Sequence, residues 1–231
     1  MAARAALQVD VDRTRVRVPA TAWTLDGFRA WALSADFPDE MARATFVDGE
    51  VLIDLSPESI ESHNKVKTAL TIDVGRIVRA GDLGEIYSDR VLLTNARAGV
   101  STEPDLCFAT WATLSAGRLR LAPRATREHE FIEIVGTPDL VVEIVSDSSE
   151  DKDLHRLRAA YARARIPEYW LVDARTERLR FEILRLAGRA FRASSSAGGW
   201  QKSGVFGLSF RLGRSRNRVG RWAYELRSTI R

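Results

Sequence analysis

Apolar residues recur along the chain at two periods, and each change of period marks an element. Thr24 to Phe37 places Leu25, Phe28, Trp31 and Ala32 on one helical face, with Thr24 as N-cap and Pro38 as stop. Two apolar runs then flank Asp48-Gly49. That pattern predicts a hairpin, because a type I′ turn needs positive φ at both central residues. Ser56-Pro57 predicts the opening of a helix that runs to about Ala80, with Val66, Leu70, Val74 and Ile77 at helical spacing and Gly81 as its end. Strands are expected near Glu85–Leu93 and Asp105–Phe108. Between Ala109 and Glu130 a short helix and a loop are expected.

The strongest strand signal is Asp139 to Val145, a nearly continuous β-branched run of the kind buried on both faces of a sheet. A helix is predicted from about Glu150 to Arg165, carrying Leu154, Leu157 and Tyr161 and broken by Pro167. Glu168–Asp173 reads as a second buried strand. Further strands near Leu179–Leu186 and Ala190–Ala193, and a turn from Ser194, predict a β-rich ending. This order gives an α/β or α+β fold: a mixed β-sheet flanked by helices.

Composition narrows the class. The chain has 231 residues, 45% apolar and 29% charged, enough to build a sizeable core in one domain. A disordered, collagen-like or coiled-coil chain is excluded. The single cysteine, Cys107, excludes an internal disulfide framework and a Cys-rich zinc site. The longest stretch without a charged residue, Leu106 to Gly117, falls short of the roughly 18 residues a membrane span needs. With no export signal at the N-terminus, the expectation is a cytoplasmic protein with no membrane partner.

Net charge is +4, but it is unevenly spread. From Arg211 to Arg231 there are seven arginines and one acid, Glu225, while Asp36 to Glu61 holds eight acids and one arginine. The basic tail is suited to phosphates, with Arg214, Arg216 and Arg218 as candidate nucleic-acid contacts. The plain alternative is a solvated arginine-rich edge.

Two acids stand out against apolar surroundings. Side chains alternate along a strand, so Glu143 shares a face with Val141 and Val145. An unpaired carboxylate there costs several kcal/mol. It requires an arginine, a hydrogen-bond network or a metal. Asp105 repeats the pattern at the start of a short apolar strand. Two carboxylates on neighbouring strands can hold a hard cation such as Mg²⁺, which polarises phosphate and activates water. A buried ion pair with an arginine is the alternative.

The segments FVDGE (Phe46–Glu50), SPESIESHNKV (Ser56–Val66), EPDL (Glu103–Leu106), PDLVVEIVSDSS (Pro138–Ser149) and KDLHRLRAAYARARIPEYWLVDAR (Lys152–Arg175), followed by LRFEIL, occur in this order. Together they resemble the Uma-type family of putative restriction endonucleases, in the PD-(D/E)XK nuclease superfamily. The resemblance implies a restriction-endonuclease-like core over about residues 45–181, followed by the β-rich, arginine-rich C-terminal part of a single domain spanning 1–231. It implies Mg²⁺-dependent cleavage of phosphodiester bonds, with Mn²⁺ as a substitute cation. It places the superfamily aspartate at Asp105 and its acidic position at Glu143, and brings Glu50 and His63 to the same cleft. The superfamily lysine, two residues after the acid, is Val145 here. The helix position from which many members supply a lysine instead is Leu157. Lys152 is the nearest substitute, and Arg156 is a weaker one because arginine stays protonated.

The expected function is therefore a metal-dependent endonuclease acting on DNA, with Asp105 and Glu143 as metal ligands and Lys152, Glu50 and His63 as further catalytic residues. A homodimer is also expected, since double-strand cutting suits two-fold symmetry. Two other readings stay open: a catalytically inactive module of the same fold that binds nucleic acid or a partner protein, and a hydrolase of another phosphate ester.

Overall fold

The computed structural model describes residues 6–11, 14–38, 43–124 and 127–229. Arg231, the last residue of the basic tail, lies outside them. The chain opens with a ribbon of β1 (Leu7–Val11) and β2 (Thr14–Val18), then α1 (Leu25–Ala32). The hairpin of β3 (Arg43–Val47) and β4 (Glu50–Asp54) follows. After α2 (Lys65–Ala80) come β5 (Gly84–Ser88), β6 (Leu92–Asn95), β7 (Val100–Thr102), β8 (Leu106–Thr110) and α3 (Trp111–Ser115). Next are β9 (Leu119–Arg124), β10 (Arg127–Gly136), β11 (Leu140–Ile144), α4 (Leu157–Arg163), β12 (Glu168–Asp173), β13 (Arg180–Ala187) and β14 (Ala190–Ala193). The chain closes with β15 (Ser196–Ala197), β16 (Trp200–Lys202), β17 (Ser209–Arg216) and β18 (Trp222–Ser228).

The expected mixed sheet with helices is present in duplicate. One six-stranded sheet runs β4-β3-β7-β6-β10-β9 and the other β14-β13-β12-β11-β8-β5. Each contains one parallel pair, β6 with β10 and β11 with β12. Strand β11 explains the layering. Its Val141 and the following Val145 pack with Val47, Leu93 and Val100 of the first sheet and with Leu157 and Tyr161 of α4. Its Leu140, Val142 and Ile144 pack on the other side with Val66, Leu70 and Val74 of α2 and with Phe210, Leu212 and Leu226 of the β15–β18 sheet. A third cluster joins Phe28 and Trp31 of α1 to Phe46 and Leu92 on the outer face of the first sheet. Burying a side chain such as Leu140 contributes about 1.5–3 kcal/mol, so β11, apolar on both faces except at Glu143, is firmly held.

Local sequence accounts for most boundaries. Thr24 caps α1 by accepting from the Gly27 amide, and Asp48 and Gly49 take φ of 54° and 75°, as the I′ turn requires. α1 ends at Ala32, short of Phe37. The second helix begins later than Ser56-Pro57: Ser59 caps it, and Pro57 stays in the preceding loop. The run Glu85–Leu93 is two strands in different sheets, because Asp89 and Arg90 both adopt positive φ and turn the chain. The region taken for a helix and a loop holds α3, as expected, and also β9 and the start of β10.

Candidate active site

A cavity of about 400 Å³ opens between the β3–β4 hairpin, the edge of β11 and the beginnings of α2 and α4. Asp105, Glu143, Lys152 and His63 all line it, although four separate segments supply them. The pairing of β8 with β11 sets Leu106 opposite Val142, so one step further along this register brings Asp105 opposite Glu143. Asp105 is fixed there by its own contacts: Oδ2 accepts from the Ile144 amide at 2.8 Å and lies 3.4 Å from His63 Nε2.

His63 and Lys152 both come from helix starts wound more widely than an α-helix. In Ile60–Asn64 and Lys152–Arg156 amides bond five residues back, as in Asn64 N to Ser59 O and Leu157 N to Lys152 O. Such wide turns are rare and gather at functional sites. His63 is buried, with Nδ1 2.6 Å from Glu58 Oε1. Glu58 in turn accepts from Lys67 Nζ at 2.6 Å. Burial opposes a charge on His63, but the Asp105 carboxylate and then Glu58 outweigh it and hold the imidazole above its ordinary range. Burial also works against ionisation of Glu58, yet Lys67 and His63 bring its carboxyl down to about 2. Asp105 is likewise held low: against desolvation stand the hydrogen bond and charge of His63 and the Ile144 amide.

Glu143 is the opposite case. It is 2% exposed, and its Oε1 accepts from the buried Tyr161 hydroxyl at 2.5 Å. Burial, and then the negative charge of Asp153, push its carboxyl well above the usual range; Lys152 only partly offsets them. Asp153 is also buried and raised, first by desolvation. Its Oδ2 accepts from Ser149 Oγ at 2.5 Å, while Oδ1 lies 3.3 Å from Lys152 Nζ and has no hydrogen bond. Lys152 is consequently held in the charged state: burial opposes the charge, but Asp153, Glu143 and Asp105 together raise its pKa.

The other sequence candidates lie elsewhere. Glu50 does not line the cavity; its half-exposed carboxylate is bound by Arg156 at 2.8 Å, and it is Arg156 that faces inward. Arg214 and Arg216 sit on β17, stacked against Trp222 with the guanidinium carbon 4.1 and 3.3 Å from the ring centre. Arg218 is exposed at the hairpin tip. None of the three lines the cavity, but Trp222 is joined to the turn that carries His63: its amide donates to Glu61 at 2.8 Å, and its carbonyl accepts from Lys65 at 3.1 Å. Sequence reasoning missed Asp153, Glu58 and Lys67. Asp153 adjoins Lys152, but an acid beside a lysine reads as an ordinary solvated pair.

Among the described residues no three His, Cys, Asp or Glu side chains converge closely enough to cage a metal. Mg²⁺ needs no such cage, since one or two carboxylates usually suffice, with waters and phosphate oxygens completing the shell. The oxygens present fit that mode: two buried carboxyls raised first by desolvation, one of them with an oxygen that has no hydrogen bond, beside Asp105 held ionised.

The fold is α+β, two mixed six-stranded sheets flanked by few helices, with an acidic cavity beside β8 and β11. The family model described as Uma2, putative restriction endonuclease, matches residues 25–211, and the chain belongs to that family. The crystal structure of a putative nuclease belonging to DUF820 from Anabaena variabilis ATCC 29413 shares the fold, with a TM-score of 0.54 at 15% identity, covering 80% of this chain and 90% of that one. No curated protein matches the chain.

Proposed function

We propose that this protein is a metal-dependent endonuclease that hydrolyses phosphodiester bonds in DNA. One observation carries the reading: Asp105, Glu143 and Lys152, far apart in sequence, line a single cavity. The two positions where the superfamily or the family supplies a lysine are closed to one, because Val145 and Leu157 are fully buried in the apolar core. Lys152 supplies the cation from the turn before Leu157 and favours the active over the inactive reading.

Asp105 and Glu143 would hold the divalent cation, which when bound polarises the phosphate and lowers the pKa of its water. The chain's own groups do the rest. Lys152, held protonated by the acids around it, is no general base. Its role is to neutralise charge developing on the phosphate oxygens and to orient the attacking water. His63, between Glu58 and Asp105, positions the Asp105 carboxylate through Nε2. The arginines of the β17–β18 hairpin flank the His63 turn, which suits them to the nucleic-acid backbone on either side of the cut.

The test is incubation with supercoiled plasmid in Mg²⁺, in Mn²⁺ and in chelator, beside the Asp105→Ala/Glu143→Ala protein. Metal-dependent nicking that the double variant loses is expected. DNA binding without turnover in any metal would replace this reading with the non-cutting one.

A further inference from the structure

A second cavity, of about 590 Å³, shares a wall with the first: Glu103 lines both. Three aromatic side chains from separate places in the fold face it, Phe37 after α1, Tyr87 on β5 and Phe131 on β10. Phe131 is 53% exposed and neighbouring Leu121 42%, large apolar surfaces that the protein's own core leaves uncovered. The Glu103 Oε2 atom is buried without a hydrogen bond, although the side chain lines both cavities. A buried polar oxygen of this kind costs stability unless a ligand satisfies it.

The turn between β5 and β6 ties the two cavities together. Asp89 and Arg90 are consecutive non-glycine residues with φ of 49° and 60°, a strained pairing that persists only when its surroundings enforce it. Asp89 lines the first cavity and Arg90 the second. The turn is anchored at the candidate metal site, where the Asp89 amide donates to the Asp105 carbonyl at 3.3 Å and Lys67 Nζ reaches Asp89 Oδ1 at 3.1 Å.

Given the nuclease reading, on which this rests, we infer that the second cavity is a subsite for one unpaired nucleobase next to the phosphodiester held at Asp105 and Glu143. An occupant that fills the cavity sets a flat apolar face against Phe131 and Tyr87 and a polar edge against Glu103, and it reaches the first cavity at Glu103, which lines both. A base on a nucleotide chain meets all three conditions. A base within a duplex does not, because its faces are stacked and its edge is paired. The cavity is of single-ligand size and takes a nucleoside, not a helix. The enzyme therefore prefers DNA with a bulged, frayed or single-stranded base beside the cut.

The test measures the affinity of the full-length protein, in Ca²⁺ to hold off turnover, for one DNA sequence as a perfect duplex and with a single unpaired 2-aminopurine. The unpaired form is expected to bind about tenfold tighter, the scale of one base–aromatic stack, and its fluorescence to change on binding. Phe131→Ala, a replacement at an exposed position outside the first cavity, should remove the preference while leaving duplex affinity unchanged. Equal affinity for both DNAs, or a preference that survives Phe131→Ala, overturns the subsite. If plasmid nicking is intact in that case, the nuclease reading stands; if no DNA binds at all, both fall.

Discussion

Glu143 is placed against its own solvation, and this has a measurable consequence. Its folded-state pKa lies above the unfolded value, so the penalty for charging it is absent below pH about 4.5 and destabilises the fold increasingly as pH rises toward the folded-state value. Glu143→Gln keeps a carbonyl oxygen to accept from Tyr161 and removes the titration. The variant is expected to melt higher than wild type at neutral pH without metal, and the two melting curves should converge near pH 4.5; thermal unfolding across pH checks both. The gap should also narrow when Mg²⁺ stabilises the wild type by binding the folded state. Glu58 works in the opposite direction: its pKa of about 2 contributes stability that is present above the ordinary glutamate range and fades as pH falls toward 2. Glu58→Gln should therefore be destabilised at neutral pH and lose that difference in acid. At this scale the sequence disclosed Asp105 and Glu143, because a carboxylate inside an apolar strand is conspicuous. It concealed Asp153 and the Glu58–Lys67 pair, because polar residues at helix starts look solvated until tertiary structure covers them. Glu50 lies outside the cavity lining, and its partner in space, Arg156, is distant in sequence.

The wide turns at Ile60–Asn64 and Lys152–Arg156 are the elements that aim the basic groups. Deleting the exposed His155 should tighten the second turn to ordinary α geometry and rotate everything before it by about 100° relative to α4. The protein is expected to stay folded by circular dichroism, since Leu157, Ala160 and Tyr161 keep their positions in the core. Cleavage is expected to fall at least about a hundredfold, the loss that misplacing a catalytic group brings. Retained activity would show that Lys152 need not sit where this turn puts it. Strand β11 was legible because a run apolar on both faces has one simple home, and β12 for the same reason. β9 was not: Leu119 and Leu121 alternate with Arg118 and Arg120, but the period-two signal spans only a few residues. Nor could periodicity reveal the break at Asp89-Arg90, which depends on backbone angles that neither residue favours.

At the scale of the whole molecule, strands of both six-stranded sheets line the cavity, and a basic hairpin is bonded to the turn beside it. DNA affinity should therefore fall steeply with salt, and Arg216→Ala and Arg218→Ala should each reduce the salt slope by about one unit if the side chain meets a phosphate. Arg214 should matter less, since its guanidinium is already taken up by the Thr176 and Glu177 carbonyls. The basic tail was legible in the sequence as charge; its attachment to the His63 turn was not, because the link runs through the backbone of Trp222. The most direct test of the account is single-turnover cleavage of labelled DNA in Mg²⁺ and Mn²⁺ by the wild type, Glu143→Gln and Lys152→Met. The account predicts metal-dependent cleavage by the wild type and a loss of at least about a hundredfold in each variant, with DNA affinity retained. Cleavage by either variant at the wild-type rate, or none by the wild type in either metal, would contradict it.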